Sequence, residues 1–394
     1  MSLLTTSPLP FSAREQGLGC PNSCHARKWA PRSEIMEPVQ SQSTSRPSPS
    51  EAPAQPVSRV AVVVNGRAKS VNEEVISTLD RMMAGGDLFV SKSLSDARDI
   101  SRLIVMRGYH TVLTGGGDGT FTVMVTEVVK EARRLGAALP RFGLLKLGTG
   151  NALAWVVGAS ARGIGDLQAD IDRLMTDAGS RPIHLVEVEG HIAPFCGLGF
   201  DAALLADYAK TKSLLSRTPL GAAASGFVSY ALAAALRTIP VAVIGPMPHV
   251  RVMNAGGDAY RLGTKGSRLG TPFAKGDTIY EGPARLTALS TVPYYGFGFR
   301  VFPYANERPD RMHLRITTMT AGPFIRNAKT IWRGEYESSE HLFDFLVEAV
   351  DIEIDPATPL QIGGDYFGER SRVHAALTPE QVRLVDFYSP PSAT

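Results

Sequence analysis

The chain has 394 residues, of which 44% are hydrophobic, and its mean hydropathy is −0.02. This length and composition predict two globular domains with a sizeable core, in addition to a tail. The formal net charge of +3 is near neutral, and no basic tract with interleaved aromatic residues occurs, so we exclude nucleic acid as a partner. The three cysteines are too few and too scattered for a disulfide framework, which favours a cytoplasmic protein.

Residues 1–57 are rich in Ser, Pro, Gln and Thr and contain no sustained apolar period. Such a composition is typical of a disordered segment. The segment also lacks the apolar stretch of a signal peptide and the Arg-rich amphipathic pattern of a transit peptide. We therefore interpret it as a disordered tail.

The first ordered segment is a short β-branched run at residues 58–65, which ends in Asn65. A run of this kind suits a buried parallel strand. Helical spacing follows at residues 71–83 and 96–108, with a second strand beginning at residues 87–90. Strands that alternate with helices predict a parallel sheet with right-handed crossovers, in which ligands bind at the carboxyl ends of the strands.

A glycine-rich turn, TGGGDGT at residues 114–120, separates an apolar strand at residues 109–113 from a predicted helix at residues 121–135. Glycines let backbone N–H groups approach a phosphate chain, and a following helix N-terminus favours anions. Asp118 would repel such a ligand unless it acts through a metal or accepts a proton from an incoming nucleophile. The stretch therefore predicts phosphoryl transfer, with an ordinary glycine turn as the alternative.

A further strand at residues 142–147 leads into a second glycine-rich turn and helix, GTGNALAW at residues 148–155. Asn65 and the TGGGDGT turn both follow predicted parallel strands, so they should lie at the same edge of the sheet. Their common placement is better evidence for a nucleotide site than either feature alone.

The GGDGT and GTGNALA motifs, in this order and separation, resemble the signature of the diacylglycerol kinase, sphingosine kinase and NAD kinase superfamily. Asn65 matches the turn after the family's first strand, although Gly66 stands where proline is usual. The resemblance implies that ATP and Mg²⁺ are the cofactors, and that Asp118 is a general base or holds Mg²⁺ through water. It also implies that phosphates are bound by the two turns and that Asn65 closes the nucleotide side, which gives the set Gly116, Gly117, Gly119, Thr120, Gly148, Thr149, Asn151 and Asn65.

The resemblance continues beyond a predicted strand at residues 182–188. The segment FCGLGFDA, at residues 195–202, is similar to the Gly-x-Gly-Phe-Asp-Ala segment at the lipid-binding cleft of the family. This similarity implies that Asp201 contacts the substrate, and the alternative is that Asp201 only caps a helix. Residues 221–236 carry no charge, and we expect a buried or lid helix there rather than a membrane span.

From residue 241 onward, short apolar runs are punctuated by Gly, Pro and Asn, which is typical of an antiparallel sandwich. The predicted strands lie at residues 241–244, 249–253, 286–289, 295–302, 312–318 and 350–354. Residues 340–347 are predicted to form a short helix.

Together these patterns predict an N-terminal α/β domain with a parallel sheet flanked by helices, of the NAD kinase and diacylglycerol kinase type, and a C-terminal antiparallel β-sandwich domain. We place the tail at residues 1–57, the nucleotide-binding domain at 58–182 and the lipid-binding domain at 183–394. The last strands of the second domain could return to the first.

Further positions depart from the family pattern. Val123 replaces a usual glutamate, and Lys146 replaces a usual proline. The family's C-terminal Asp-Gly-Glu reads Gly363-Gly364-Asp365 here, so one carboxylate of two remains, and we assign Asp365 a catalytic role. Fewer carboxylates would weaken a Mg²⁺ network, which makes a catalytically weak or binding-only relative one alternative.

The sequence therefore predicts an ATP-dependent lipid kinase that phosphorylates a hydroxyl of a lipid such as diacylglycerol or a sphingoid base. A soluble NAD kinase-like enzyme is the other alternative, and it is disfavoured because GTGNALA and GLGFDA resemble the lipid branch. A lipid substrate would bring this cytoplasmic protein into peripheral contact with the inner face of a membrane. The sequence selects neither one lipid acceptor nor an oligomeric state.

Overall fold

The computed structural model describes residues 59–68, 71–83, 87–148, 151–159, 164–175, 179–203, 205, 207, 246–295, 298–305 and 307–387. Three of the predicted features, the tail at 1–57, the helix at 221–236 and the strand at 241–244, lie outside these residues, as does Thr149. Among the described residues, none of the helices combines the length and the hydropathy needed to span a membrane.

The first sheet has six strands in the spatial order β2-β1-β3-β4-β18-β5. Its first four strands pair in parallel, and α-helices connect consecutive members along the chain. In chain order the elements are β1 (Val60–Asn65), α1 (Glu73–Met82), β2 (Asp87–Ser91), α2 (Leu94–Met106), β3 (Thr111–Gly116), α3 (Asp118–Leu135), β4 (Arg141–Lys146), α4 (Ala152–Val157), α5 (Ile164–Met175), β5 (Ser180–Ile183) and, near the end of the chain, β18 (Val382–Val385).

Local signals explain the helix boundaries of this sheet. The Asn72 side chain accepts a hydrogen bond from the Val75 N–H at the start of α1, and the Ser93 hydroxyl accepts one from the Asp96 N–H at the start of α2. Helix α3 ends at Gly136, whose φ of 63° is the left-handed conformation that glycine adopts without strain. The helices predicted at residues 71–83, 96–108 and 121–135 are therefore confirmed, and α3 begins earlier than predicted, at Asp118.

The second sheet has twelve strands, and all its pairings are antiparallel. Its strands are β6 (Val186–Val188), β7 (His191–Ala193), β8 (Phe195–Gly199), β9 (His249–Asn254), β10 (Ala259–Leu262), β11 (Arg268–Phe273), β12 (Thr278–Pro283), β13 (Leu286–Ser290), β14 (Met312–Thr317), β15 (Leu342–Val347), β16 (Ala349–Ile362) and β17 (Asp365–Leu377). The long strand β16 pairs with β9 along its first part and with β8 at its end, so it joins two parts of the sheet. The predicted fold class, α/β followed by antiparallel β, is confirmed.

Two short helices, α6 (Ala321–Arg326) and α7 (Ala328–Trp332), lie in the connection between β14 and β15. After β17 the chain leaves the second sheet and returns to the first as β18, which pairs in parallel with β4 and antiparallel with β5. The chain therefore crosses twice between the two sheets. The turn that joins β16 to β17 lies beside the start of α3, which follows the carboxyl end of β3.

Three predictions of local structure are wrong. Residues 342–347 form strand β15 and not a helix, because cross-strand pairing with β14 and β10 decides between the two conformations that a short apolar run allows. Residues 298–302 form an irregular loop instead of a strand, with Val301 and Phe302 buried. The strand predicted at residues 182–188 is two strands, since β5 belongs to the first sheet and β6 to the second.

Candidate functional site

The parallel strands bring the predicted nucleotide-binding residues to one edge of the first sheet. Gly115 pairs with Val64, which precedes Asn65 at the end of β1, and Gly116 pairs with Lys146 at the end of β4. The Asn65 Nδ2 atom donates a hydrogen bond to the Thr120 hydroxyl over 3.1 Å. The structure therefore joins Asn65 to the first turn of the helix that follows GGGDGT.

The two glycine-rich turns pack against each other through their backbones. A Cβ atom added to Gly148 would overlap the backbone of Gly117, so a side chain at this position would push the turns apart. On the second turn, the Asn151 side chain donates a hydrogen bond of 2.6 Å to the Gly148 carbonyl oxygen. Asn151 is buried and therefore shapes the turn from within.

Asp118 links the two motifs. It is buried at the start of α3, and its carboxylate accepts hydrogen bonds from the Ala152 N–H over 2.8 Å and from the Leu153 N–H over 3.3 Å. These two amides begin helix α4, so the carboxylate lies at the positive end of that helix.

The environment of Asp118 perturbs its acidity. Burial raises the pKa of its carboxyl group to about 7, because the two amide donors offset only part of the lost hydration and the nearby Asp365 carboxylate adds repulsion. An aspartate with this pKa exchanges protons near neutral pH, which is the range that suits a general acid or base.

Asp365 approaches the first motif from the second sheet. It is the first residue of β17 and follows a two-residue hairpin turn formed by Gly363 and Gly364. A Cβ atom added to Gly119 would overlap the Asp365 carboxylate, so the carboxylate occupies the space that this glycine leaves free. Asp365 keeps an exposed surface, yet the protein around its side chain removes enough water to raise the pKa of the carboxyl group.

The hairpin turn explains one departure from the family pattern. Gly363 and Gly364 have φ values of 58° and 88°, which a tight two-residue hairpin needs at both central positions. A Cβ atom on Gly363 would also overlap the Thr122 hydroxyl of helix α3. In this chain position 363 therefore requires glycine. The turn places Asp365 as the acidic residue beside the GGGDGT motif.

Asp201 lies in a separate buried cluster that supports this turn. Its carboxylate accepts a short hydrogen bond from the Tyr295 hydroxyl, which in turn accepts one from the Gln361 amide. The Gln361 side-chain oxygen accepts a hydrogen bond of 2.9 Å from the Gly364 N–H. A continuous relay thus runs from Asp201 to the turn before Asp365.

The relay contains an unusual buried carboxylate. Among the residues that the structure describes, the Asp201 Oδ1 atom has no hydrogen-bond partner. Burial raises the pKa of this carboxyl group, although the Tyr295 hydroxyl and the Ala202 amide oppose the shift. The sequence motifs assign no role to Tyr295 or Gln361, and only their contacts in the fold identify them.

Lys146 and two aromatic residues border the site on the other side. The Lys146 Nζ atom lies 4.9 Å from the centroid of the Trp155 ring, and this ring lies 6.2 Å from the Tyr294 ring. Trp155 belongs to α4, whereas Tyr294 belongs to the loop that follows β13. A cation at the end of β4 favours binding of an anion at this edge.

The acidic groups fit a magnesium ion that is held mainly by its ligands on the nucleotide. Within the described ranges, no group of three or more His, Cys, Asp or Glu residues could hold a metal. Asp118 and Asp365 nevertheless place two mutually repelling carboxylates beside the glycine turn. Mg²⁺ commonly binds through one or two carboxylates, phosphate oxygens and water, so this donor set suits it when ATP is present.

Comparison with known proteins shows a similarity that covers most of the first sheet. The family model of the diacylglycerol kinase catalytic domain matches residues 59–188, which include both glycine motifs. The YegS-like protein of Pseudomonas aeruginosa, named a probable lipid kinase, is 32% identical over 137 residues, or 34% of this chain and 41% of that protein. A YegS-like protein of Xanthomonas oryzae with the same name is 27% identical over 135 residues, or 34% of this chain and 42% of that protein.

These matches span about two fifths of the length of the curated relatives. Solved structures extend the likeness of fold to the second sheet. A diacylglycerol kinase from Bacillus anthracis str. Sterne superposes with a TM-score of 0.51 over 86% of this chain and 100% of that one, at 15% identity. A further crystal structure from the same organism has a TM-score of 0.55 over 84% of this chain and 98% of that one, at 16% identity.

The resemblance seen in the GGDGT and GTGNALA motifs is thus confirmed by a family match that contains both of them, and by solved structures that share both sheets. Residues 59–188 are thus similar to a diacylglycerol kinase catalytic domain, and the two sheets together have the fold of solved diacylglycerol kinases.

Proposed function

We propose that this protein is an ATP-dependent lipid kinase that transfers the γ-phosphate to a lipid hydroxyl. The observation that carries the proposal is the position of Asp118, which has a pKa of about 7 and lies where the two glycine turns meet. A proton acceptor beside a phosphate-binding turn is the arrangement that transfer to an alcohol needs.

The nucleotide phosphates would bind at the two glycine turns. In this proposal, backbone amides of Gly116, Gly117 and Gly119 and the Thr120 hydroxyl bind one side of the phosphate chain. Gly148 and Asn151 would form the opposing wall, and Thr149, which lies outside the described residues, would bind there as the resemblance implies. Asn65 orders the site through its hydrogen bond to Thr120. The close packing of Gly148 on Gly117 fixes the spacing of the two turns before ATP arrives, which lowers the entropic cost of binding.

Asp365 would hold Mg²⁺ together with the phosphates, which leaves the Asp118 carboxylate free to accept a proton. When bound, the ion neutralises negative charge on the phosphates and on the leaving ADP. Burial raises the pKa of both carboxyl groups, and a bound cation would offset this cost of ionisation at Asp365.

In the chemical step, the ionised Asp118 carboxylate would accept the proton of the lipid hydroxyl. The hydroxyl oxygen forms a bond to the γ-phosphorus, and the bond from that phosphorus to the β,γ-bridging oxygen breaks, which releases ADP. A carboxylate with a pKa of about 7 is a stronger base than one of ordinary pKa, so burial of Asp118 assists proton removal. Positioning by the turns and charge stabilisation account for the rest.

We further propose that residues 58–182 bind the nucleotide and residues 183–394 bind the lipid. Asp201 would then affect lipid binding indirectly, because its relay of hydrogen bonds holds the β16–β17 turn and therefore Asp365 in place. The lipid acceptor would enter between the two sheets, where the glycine turns, Asp365 and the aromatic residues Trp155 and Tyr294 meet.

The test is phosphate transfer from labelled ATP, with Mg²⁺, to detergent-dispersed diacylglycerol, sphingosine and ceramide, and to NAD. The wild-type protein should label one of the lipids, and Asp118→Asn should lower kcat by about 10²–10⁴-fold because the proton acceptor is removed. The variant Asp96→Asn is the matched control, since Asp96 lies on the exposed start of α2. Labelled NADP in place of a labelled lipid would contradict the proposal, and so would ATP binding without any labelled acceptor.

A further inference from the structure

The connection between β14 and β15 is much longer than these antiparallel neighbours require. The strands end and begin at Thr317 and Leu342, and their pairing register is continuous from Met312 opposite Val347 to Thr317 opposite Leu342. A short turn would join them. The chain instead forms helices α6 and α7, and long connections of this kind usually carry a function.

These helices expose large apolar side chains. Ile325 is 63% exposed, Trp332 is 45% exposed and Phe324 is 39% exposed. None of residues 322–334 is buried. Large apolar side chains that are exposed together on one short segment indicate a surface that contacts an apolar phase or partner.

The same segment is strongly basic. Arg326, Lys329 and Arg333 are exposed, and no acidic residue occurs from residue 321 to residue 334. The ion pairs formed within the described part of the chain use none of these three side chains. We define the α6–α7 surface as these six residues: Phe324, Ile325, Arg326, Lys329, Trp332 and Arg333.

The α6–α7 surface is attached firmly to the loop beside the catalytic site. The Trp332 ring stacks on Phe299 with centroids 5.3 Å apart, and the Trp332 carbonyl accepts a hydrogen bond of 3.0 Å from the Arg300 N–H. This loop begins at Tyr294 and Tyr295, which contact Trp155 and Asp201 respectively. The surface is therefore linked through one loop to both sides of the site.

We propose that the α6–α7 surface docks the protein on an anionic lipid bilayer, an inference that rests on the proposed lipid kinase function. Exposed apolar side chains enter the boundary between headgroups and acyl chains, while neighbouring lysine and arginine side chains bind anionic headgroups. The combination of both residue types on one short segment matches these two requirements. The loop contact with Phe299 then holds the catalytic cleft close to the membrane that contains its acceptor.

Charge complementarity favours a membrane over a second copy of this chain. A symmetric dimer through the α6–α7 surface would bring the cations of both copies together, which is unfavourable in an interface of low dielectric constant. The leaflet of a membrane that contains anionic lipid supplies the opposite charge and the apolar phase together.

Vesicle flotation tests the proposal without any need for enzyme turnover. The wild-type protein should float with phosphatidylcholine vesicles that contain phosphatidylglycerol and much less with pure phosphatidylcholine vesicles. The triple variant Arg326→Glu, Lys329→Glu and Arg333→Glu should weaken this binding by at least about tenfold, since each juxtamembrane cation contributes on the order of fivefold. Its charge-matched control is Arg98→Glu and Arg102→Glu on α2 together with Arg107→Glu just after it, a triple variant that should retain far more of the binding.

A second pair of variants tests the apolar contribution. Ile325→Ser should weaken binding to the mixed vesicles by about tenfold through loss of one inserted side chain. Met106→Ser is the control, because Met106 is 66% exposed on α2 and as accessible as Ile325. Both variants should fold like the wild-type protein, since neither side chain is buried.

Parallel assays on a detergent-dispersed lipid acceptor separate the two proposals. Loss of vesicle binding with retained phosphorylation of the dispersed lipid supports the docking surface. Vesicle binding that depends on the α6–α7 surface, in a protein that phosphorylates no lipid, also supports the docking proposal and overturns only the kinase function. Vesicle binding that is absent in the wild type, or equal in the α6–α7 and α2 variants, overturns the proposal. A change of oligomeric state in the α6–α7 variants without a change in vesicle binding also overturns it, in favour of an interface between copies.

Discussion

Two aspartates, Asp118 and Asp344, are buried to a similar extent but have opposite electrostatic surroundings. Asp344 belongs to strand β15 of the second sheet, directly opposite Arg315 of β14. Arg315 donates two hydrogen bonds to its carboxylate, over 2.7 and 2.9 Å, and the His313 Nε2 atom lies 2.9 Å from the same group. Burial alone would raise the pKa of Asp344, but Arg315 and His313 hold it well below its usual range.

Asp118 has no such cation among its described partners. Its carboxylate receives two backbone N–H groups and faces the like charge of Asp365, so its pKa rises to about 7. The difference between the two aspartates lies in their partners and not in their burial. A fully compensated carboxylate stabilises the sheet, whereas an undercompensated one remains able to exchange a proton or bind a cation.

The largest effect on stability is expected at Asp344, whose buried charge is fully compensated by its partners. Asp344→Asn removes the negative charge between Arg315 and His313 and leaves the buried guanidinium unpaired, which should lower the free energy of unfolding by about 3–5 kcal/mol. Urea denaturation at pH 7 measures this change. The double variant Arg315→Met and Asp344→Leu should recover much of the loss, and equal destabilisation in the single and double variants would contradict the pairing.

The opposite behaviour is expected for Asp118. Its folded-state pKa of about 7 is raised from 3.8, so the folded protein binds more protons than the unfolded chain between these values, and stability falls as pH rises through that window. The cost at pH 8 is on the order of 4 kcal/mol. Asp118→Asn should therefore unfold at higher urea concentration than the wild type at pH 8, with little difference at pH 4.

The control for this experiment is Asp96→Asn on α2. Backbone and side-chain hydrogen bonds from Lys92 and Ser93 lower the pKa of Asp96, so this group contributes stability at neutral pH. Asp96→Asn should retain the decline of stability between pH 4 and pH 8 that Asp118 causes. An Asp118→Asn protein with the same decline as the wild type would show that Asp118 titrates normally.

A smaller effect is expected from Asp201, whose partners are neutral. Tyr295→Phe removes the hydroxyl that joins Asp201 to Gln361, and it should lower the free energy of unfolding by about 1–3 kcal/mol. Because the relay ends at the turn before Asp365, kcat should also fall several-fold while KM for ATP changes little. Tyr294→Phe is the matched control, and an equal loss of kcat in both variants would exclude a positioning role for the relay.

The sequence predicts the first sheet and the meeting of its glycine turns well because the information is local. Each glycine turn follows its strand within a few residues, and parallel strands bring their carboxyl ends to one edge, so Asn65, Gly116 and Gly148 meet as expected. The first turn of α3 is also encoded locally, although its start at Asp118 and not Phe121 places the carboxylate inside the helix.

The sequence does not predict the contacts that depend on strand register in the second sheet. The pairing of Arg315 with Asp344 spans 29 residues, and the pattern of residues 340–347 predicts a helix in place of strand β15, which carries Asp344. In the sequence pattern Gly363 replaces a carboxylate, whereas its left-handed φ and its contact with Thr122 show that the hairpin excludes a side chain. Such constraints exist only once the strands are paired.

The pH dependence of kcat/KM for ATP tests the central claim most directly, because this ratio reports ionisations of the free enzyme. In the presence of Mg²⁺ and the lipid acceptor, the ratio should fall as pH decreases through an apparent pKa near 7, the value of Asp118. Asp365→Asn removes the like charge and should move this inflection to lower pH, although the rate itself also falls. A wild-type profile without an inflection near neutral pH, or one that Asp365→Asn leaves in place, would contradict the assignment of Asp118 as the proton acceptor.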